Sequence, residues 1–71
     1  MEDPRRFMQV AKELRDQIGD GRLKPGCRLP SIGTLTQETD SSRQTIGRAL
    51  RLLEREGLLT RIPGLGYFVE E

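Results

Sequence analysis

Arginine and glutamine side chains recur along one side of residues 41–57, whose sequence is SSRQTIGRALRLLEREG. At about 3.6 residues per helical turn, one arc of this segment carries Arg43, Gln44, Gly47, Arg48 and Arg51. No acidic residue interrupts residues 41–53, so the arginines have no neighbouring partner on this arc. Guanidinium forks beside an amide are the chemistry that recognises guanine O6/N7 and adenine N6/N7 in a DNA major groove. The alternative interpretation is a solvated helix face that binds nothing.

The opposite arc of the same segment is apolar and predicts burial of Ile46, Ala49, Leu50 and Leu53. The start of this helix is marked by Ser41 or Ser42, either of which is a suitable N-cap. With Ser41 as the cap, Gln44 stands at the capping-box position. Gly57 is a good C′ residue and predicts the end of the helix.

Length and composition exclude most catalytic chemistry. The chain has 71 residues, which is the size of one small domain with little room for a deep substrate pocket. There is no histidine, and Cys27 is the only cysteine, so histidine-dependent sites and an internal disulfide are excluded. The G-x-G at residues 64–66 lacks the strand-to-helix context of a nucleotide site. We therefore expect no enzyme activity, no cofactor and no metal.

The charge of the chain is unevenly distributed. The net charge is only +1, but residues 22–51 hold six basic and two acidic side chains and are locally +4. A local basic surface on a near-neutral chain is typical of a directional polyanion site. No apolar run approaches about 20 residues, and the N-terminus lacks a hydrophobic signal core. We expect no membrane association and a cytoplasmic location.

Two helices are predicted before residue 41. Helix one covers about residues 5–18, because one apolar stripe collects Phe7, Val10, Ala11, Leu14 and Ile18. Pro25-Gly26 marks a turn, and residues 27–29 can form a short strand. Ser31 is the candidate N-cap of helix two, over about residues 32–39. Two helices with a short connection, the second one basic, are typical of a helix-turn-helix.

A β-hairpin is predicted after Gly57. Strand formers flank a four-residue loop of sequence PGLG, at residues 63–66. A hairpin that follows a helix-turn-helix makes a winged helix, and Arg61 and the glycine tip are placed to approach a DNA backbone. The alternative is a hairpin that only closes the core. The fold class is α+β, mostly α: three helices plus a C-terminal β-hairpin wing. Residues 4–71 form one domain, with the helix-turn-helix at about 31–56 and the wing at about 58–70.

The chain resembles the DNA-binding domain of the GntR family of bacterial transcription regulators. The resemblance rests on "PG-x-RLPS", "SR-x-T", "AL-x-x-LE-x-EGL" and "G-x-G-x-x-V", in that order, within residues 7–69. It implies a winged helix-turn-helix that binds double-stranded operator DNA as a homodimer on a nearly palindromic site. The recognition helix would enter the major groove, and the wing would lie along the minor groove.

The resemblance also implies which residues face DNA. By position these are Arg28, Ser31, Ser42, Arg43, Gln44, Thr45, Arg48, Gly64 and Gly66. Arg43 and then Gln44 are the expected base contacts, and Ser42 and Thr45 are the expected phosphate donors. Arg28 is expected to hold a phosphate from the turn before helix two. Arg51 and Arg61 join Arg28 and Arg48 in electrostatic docking, as inferred from their charge and placement.

Three features depart from the family pattern. Gly47 replaces a residue that is commonly basic, at a cost of about 1 kcal/mol in helix propensity relative to alanine. Ile32-Gly33 replaces a charged pair, and Thr39 and Ser41 replace apolar residues, so we expect a looser core near helix two. The chain also ends just after the wing, where family members continue into an effector domain. We therefore expect no small-molecule effector site within these residues.

The sequence favours a DNA-binding transcription regulator that represses by covering promoter DNA. The alternative is a winged-helix module that binds protein without specific DNA readout. Its candidate contacts are apolar side chains outside the main core stripe, namely Met8, Ile32, Leu52 and Leu65. For Leu52, ordinary packing is favoured over a contact with a dimer partner or the wing. The arginine arc favours DNA, because protein-binding winged helices lack a basic recognition face.

Overall fold

The computed structural model describes residues 4–70 and contains three helices followed by an antiparallel hairpin. The elements are α1 (Pro4–Gly19), α2 (Ile32–Thr39), α3 (Arg43–Arg55), β1 (Leu59–Ile62) and β2 (Gly66–Val69). This order confirms the predicted winged helix-turn-helix. The bounds of α1 and α2 agree with the prediction to within one residue at each end. Residue 71, the expected end of the domain, lies outside the described residues.

The core is built around α3, which packs against α1, α2 and β1. All four apolar residues predicted to be buried on α3 are buried. The remaining core residues come from the other elements and the segment before α2: Val10, Ala11, Leu14, Leu29, Leu35, Leu59 and Val69. Burial of this one face fixes the rotation of α3 and therefore turns its arginine arc outward.

The structure identifies Ser42 as the N-cap of α3. Its hydroxyl accepts a hydrogen bond from the backbone N–H of Thr45 at 3.1 Å. The capping box with Ser41 and Gln44 is therefore wrong, because Ser41 is used elsewhere. At the other end Gly57 has a φ of +83°, which confirms its predicted role after the helix.

Polar side chains near the end of α2 are hydrogen-bonded instead of loosely packed. The Thr39 hydroxyl donates to the carbonyl oxygen of Leu35 at 2.7 Å. The Ser41 hydroxyl donates to the carbonyl oxygen of Thr39 at 3.2 Å and accepts from Arg6 Nε at 3.2 Å. These bonds satisfy the two hydroxyls that replace the apolar residues of the family pattern, and Leu35 is buried as predicted.

The wing pairs β1 with β2 in the register Leu59↔Val69 to Ile62↔Gly66. The loop between the paired residues therefore has three residues, 63–65, and the predicted four-residue loop is wrong because Gly66 joins the ladder. The segment before α2 pairs with the other edge of β2. Its Leu29 N–H donates to the carbonyl oxygen of Tyr67 at 2.9 Å, and an isolated bridge joins Arg28 to Phe68.

Exposure of the apolar candidates divides them into two pairs. Met8 and Leu65 are exposed as predicted, at 59% and 52%. Ile32 and Leu52 are half-buried against the core, so the expected exposure of Ile32 is wrong, whereas the burial of Leu52 agrees with ordinary packing. No helix in the described part of the chain is long and apolar enough to cross a bilayer.

Candidate nucleic-acid interface

A shallow depression lies between the start of α2, the start of α3 and the wing; we call it the α2–wing depression. Its polar and glycine lining consists of Arg28, Ser31, Gly33, Arg43, Arg61, Gly64 and Gly66. These seven residues come from separate parts of the sequence, and the tertiary fold brings them to one surface. Six of the seven were predicted to face DNA, and Gly33 was not.

Arg43 is the first residue of α3 and leans across the first turn of α2. A Cβ atom placed on Gly33 would lie 3.7 Å from the Nη2 atom of Arg43. The guanidinium therefore lies over the start of α2, at a distance that an alanine at position 33 would also allow. In the sequence, Gly33 is distinguished only as an unusual residue of helix two. No sequence pattern indicates that Gly33 lies beside Arg43, because this contact depends on how α2 and α3 cross.

Arg28 lies beside the wing. A Cβ atom placed on Gly66 would be 3.7 Å from Arg28 Nε, and the φ of Gly66 is +114°. The bridge between Arg28 and Phe68 fixes the backbone that carries this side chain. Arg28 therefore presents a positive charge next to the loop end of the wing, where Gly64 and Gly66 leave the tip narrow.

A second depression lies between the exposed arc of α3 and the wing; we call it the α3–wing depression. It is lined by Ile32, Arg43, Gln44, Gly47, Arg51, Glu54, Arg61 and Tyr67. Arg43 and Arg61 line both depressions, so the two form one continuous surface. Gln44 and Arg51 are exposed on it as predicted. Glu54 is the one acidic residue that lines it, at the C-terminal half of α3.

Arg48 lies on the side of the arc that faces α1. Its Cζ atom lies 4.5 Å from the centre of the Phe7 ring, which is a cation–π contact with α1. Arg48 lines a separate hollow with Arg51 and Arg55. Arg51 therefore lines one depression with Arg43 and another with Arg48. Arg43 and Arg48 themselves do not line the same depression. Arg55, which the sequence analysis missed, is found by continuing the arc by four residues from Arg51.

Two of the three hydroxyl residues predicted to face DNA, Ser31 and Ser42, are helix N-caps. Ser31 accepts from the Thr34 N–H at 3.1 Å, and Ser42 accepts from the Thr45 N–H at the same distance. Ser31 and Ser42 remain exposed. Thr45 is 1% exposed, and its hydroxyl accepts from Ser42 at 3.2 Å. The contact of the Thr45 side chain with a phosphate stays a prediction, and the burial of this residue argues against it.

The charges of the two depressions are not neutralised within the described part of the chain. Within residues 5–70 the ion pairs are Lys12–Asp16, Arg15–Glu56 and Arg22–Asp20. None of these pairs includes a residue that lines either depression. Unpaired guanidinium groups on a surface attract polyanions, and counterion release then contributes to binding. Residues 5–70 contain no cluster of His, Cys, Asp or Glu able to hold a metal ion.

Comparison with known proteins gives a consistent match. A family model described as "Bacterial regulatory proteins, gntR family" matches residues 7–69. The chain is 42% identical to the mannosyl-D-glycerate transport/metabolism system repressor of Escherichia coli, over 92% of the chain and 27% of that protein. It is 43% identical to the histidine utilization repressor of Pseudomonas putida, over 92% of the chain and 26% of that protein. The chain thus spans about a quarter of the length of these relatives.

The fold of the chain is also similar to the folds of solved structures. The fold matches the AraR DNA-binding domain in a crystal structure with operator ORX1, with a TM-score of 0.87 and 33% identity. That match covers 97% of this chain and 81% of the solved chain. The fold of the chain also matches the crystal structure of YydK from Bacillus subtilis, with a TM-score of 0.84 and 33% identity. That protein is described as a possible transcriptional regulator. The YydK match covers 93% of this chain and 29% of the solved chain.

Proposed function

The chain belongs to the GntR family of bacterial regulatory proteins, and from this premise we propose that it binds double-stranded operator DNA sequence-specifically as part of a transcription repressor. The family is regulatory and not enzymatic, in agreement with the prediction that the chain is not an enzyme. The names of the two repressors and the operator complex of the AraR domain support this proposal. The protein-interaction alternative has no comparable support.

The observation that carries the proposal is the convergence of Arg28, Arg43 and Arg61 on the α2–wing depression. Three like charges on one small surface repel each other, and in the described residues no carboxylate is paired with them. A polyanion that bridges the start of α3 and the wing removes this repulsion. Duplex DNA presents phosphates on both sides of a groove and fits a helix flanked by a wing.

We assign base recognition to Arg43 and Gln44. Both are exposed at the start of α3, where a recognition helix meets base edges in the major groove. One good bidentate contact would contribute about 1–3 kcal/mol of discrimination between bases. Arg28, Arg61, Arg48 and Arg51 would contact phosphates, and Ser31 and Ser42 would do so from the helix starts. Gly64 and Gly66 would let the wing tip approach the minor groove.

The assembly and regulation of the protein are also proposals. We infer that residues 4–71 form one domain that covers one half-site, and that a homodimer covers a nearly palindromic operator and blocks transcription. Any small-molecule effector would bind outside these residues, and the protein would act in the cytoplasm. The family resemblance supports these inferences.

A binding experiment with matched charge controls tests the proposed function. The wild type is first used to select duplexes from a randomised DNA library. Fluorescence anisotropy then compares a selected duplex with a scrambled duplex across a salt series, for the wild type, Arg43→Ala and Lys12→Ala. Lys12 lies on α1, is paired with Asp16 and lines none of the depressions, so its loss removes one charge away from the surface.

We expect the wild type and Lys12→Ala to prefer the selected duplex and Arg43→Ala to lose most of that preference. Binding should weaken steeply with salt in every case. If selection recovers no motif, the proposed sequence-specific function is wrong. If a motif is recovered but Arg43→Ala and Lys12→Ala bind alike, the assignment of base recognition to Arg43 is wrong. A protein that binds no DNA at low salt would favour the protein-interaction module.

A further inference from the structure

Gly47 lies in the middle of α3, at a position where glycine has no advantage for the helix. The helix runs from Arg43 to Arg55, and Gly47 has four or more helical residues on each side. Glycine in a helix interior is less favourable than alanine because its backbone loses more freedom on folding. Something other than helix formation must explain why no side chain is present here.

The fold itself does not require this glycine. Positive φ explains the glycines at 57, 64 and 66, but Gly47 is not among the positive-φ residues described. Close packing does not explain it either, since a Cβ atom placed on Gly47 would meet no described heavy atom within 4 Å. By contrast, a Cβ atom on Gly33 would touch Arg43 at 3.7 Å. An alanine at position 47 would fit and would strengthen the helix.

The surroundings of Gly47 supply the missing explanation. Gly47 lines the α3–wing depression, and Gln44 and Arg51, which line it too, are three residues before and four residues after it on the same face. Gly47 is half-buried, so this part of the depression is formed by helix backbone without a side chain, flanked by an amide and a guanidinium. A ligand that enters between these two side chains meets the helix backbone directly.

We propose that Gly47 is a specificity-determining residue, whose missing side chain lets the backbone of α3 approach the major-groove edge of a base pair. This inference rests on the proposed DNA-binding function. The close approach brings Arg43 and Gln44 within reach of neighbouring base edges. Any side chain at position 47 holds the helix away from the bases, while the longer arginines still reach the phosphates. Specific binding then weakens, and binding to unrelated DNA does not.

The test uses two substitutions of increasing size, Gly47→Ala and Gly47→Leu, with Gly19→Ala as the matched control. Gly19 ends α1, and a Cβ atom there also meets no described atom within 4 Å. Thermal unfolding is followed by circular dichroism. Affinity is measured by anisotropy on a duplex selected by the wild type and on a scrambled duplex, and library selection is repeated with Gly47→Ala.

We expect Gly47→Ala to raise Tm by about 4–8 °C, because it restores helix propensity in a small domain. Its affinity for the selected duplex should fall about tenfold and that of Gly47→Leu further, with binding to scrambled DNA unchanged. Gly19→Ala should bind both duplexes like the wild type. Selection with Gly47→Ala should return a motif that differs at one or two adjacent base pairs of each half-site.

Two results would overturn the inference, and they are distinguishable. If Gly47→Ala gains stability and keeps the wild-type ratio of affinities and the wild-type motif, the glycine has no role in recognition and the proposed function stands. If the wild type itself selects no motif, the proposed function fails and the inference fails with it.

Discussion

The guanidinium of Arg6 on α1 donates a 2.6 Å hydrogen bond to the backbone carbonyl oxygen of Asp40, in the turn between α2 and α3. The same guanidinium donates to the carbonyl oxygen of Thr39 at 3.1 Å. Asp40 has a φ of +52°, so the chain turns sharply at the end of α2, where these two carbonyl oxygens have no partner within the helix. A positive charge at the end of α2 both satisfies them and complements the helix dipole. Arg6 therefore fixes the turn that sets the angle between the two helices.

Removal of the Arg6 guanidinium should destabilise the fold. We expect Arg6→Met, which keeps the aliphatic stem, to lower the free energy of unfolding by about 1–2 kcal/mol, because carbonyl oxygens lose a charged donor. Urea unfolding followed by circular dichroism measures this change. Arg6→Lys should recover only part of the loss, since one ammonium cannot reproduce the fork. A Met variant as stable as the wild type would show that water replaces Arg6 without cost.

Arg28 should contribute to DNA binding without regard to sequence. Its guanidinium lies beside Gly66 of the wing and does not line the α3–wing depression that includes Gln44, so we expect it to contact a phosphate. Arg28→Ala should weaken binding to selected and scrambled duplexes equally and reduce the slope of log affinity against log salt by about 1. Arg28→Lys should keep most of the slope. A loss confined to the selected duplex would instead make Arg28 a base contact.

Thr45 should affect folding and not DNA recognition. We expect Thr45→Val to lower the free energy of unfolding by about 1 kcal/mol, because the Ser42 hydroxyl loses the oxygen to which it donates. The ratio of affinities for selected and scrambled duplexes should stay at the wild-type value, since residue 45 is 1% exposed. Urea unfolding and anisotropy measure the two quantities. A selective loss of DNA binding at unchanged stability would restore Thr45 as a DNA contact.

Asp20 should titrate below its ordinary range. Hydrogen bonds from the side chain and then the backbone N–H of Arg22, at 2.8 Å and 3.0 Å, lower the pKa of the Asp20 carboxyl. A lowered pKa in the folded state stabilises the fold above the pKa of the unfolded chain, and this contribution is lost as pH falls through the folded value. The pair is exposed, so the effect on stability is small. NMR titration of the carboxyl should show the lowered pKa, and Arg22→Ala should return it towards normal.

Local patterns in the sequence predicted the helices well because each has a clear period and a clear stop. The apolar arc of α3 was recognised from Ile46, Ala49, Leu50 and Leu53, all of which are buried. The N-cap was less certain, since Ser41 and Ser42 are both suitable by residue type. The structure selects Ser42 because Ser41 is bound to Arg6, 35 residues away. A competing long-range hydrogen bond is not visible in a local pattern.

The sequence by itself determined the fold class, the arginine arc and the wing, because periodicity, caps and turn glycines act through near neighbours. The tertiary structure decided which of those residues share a surface. It placed Arg28 against Gly66, Arg43 over Gly33 and Arg48 on Phe7, and it turned Thr45 inward. These contacts depend on how α1, α2, α3 and the wing pack around one core. Packing of whole elements is a property of the assembled chain, and no short stretch of residues encodes it.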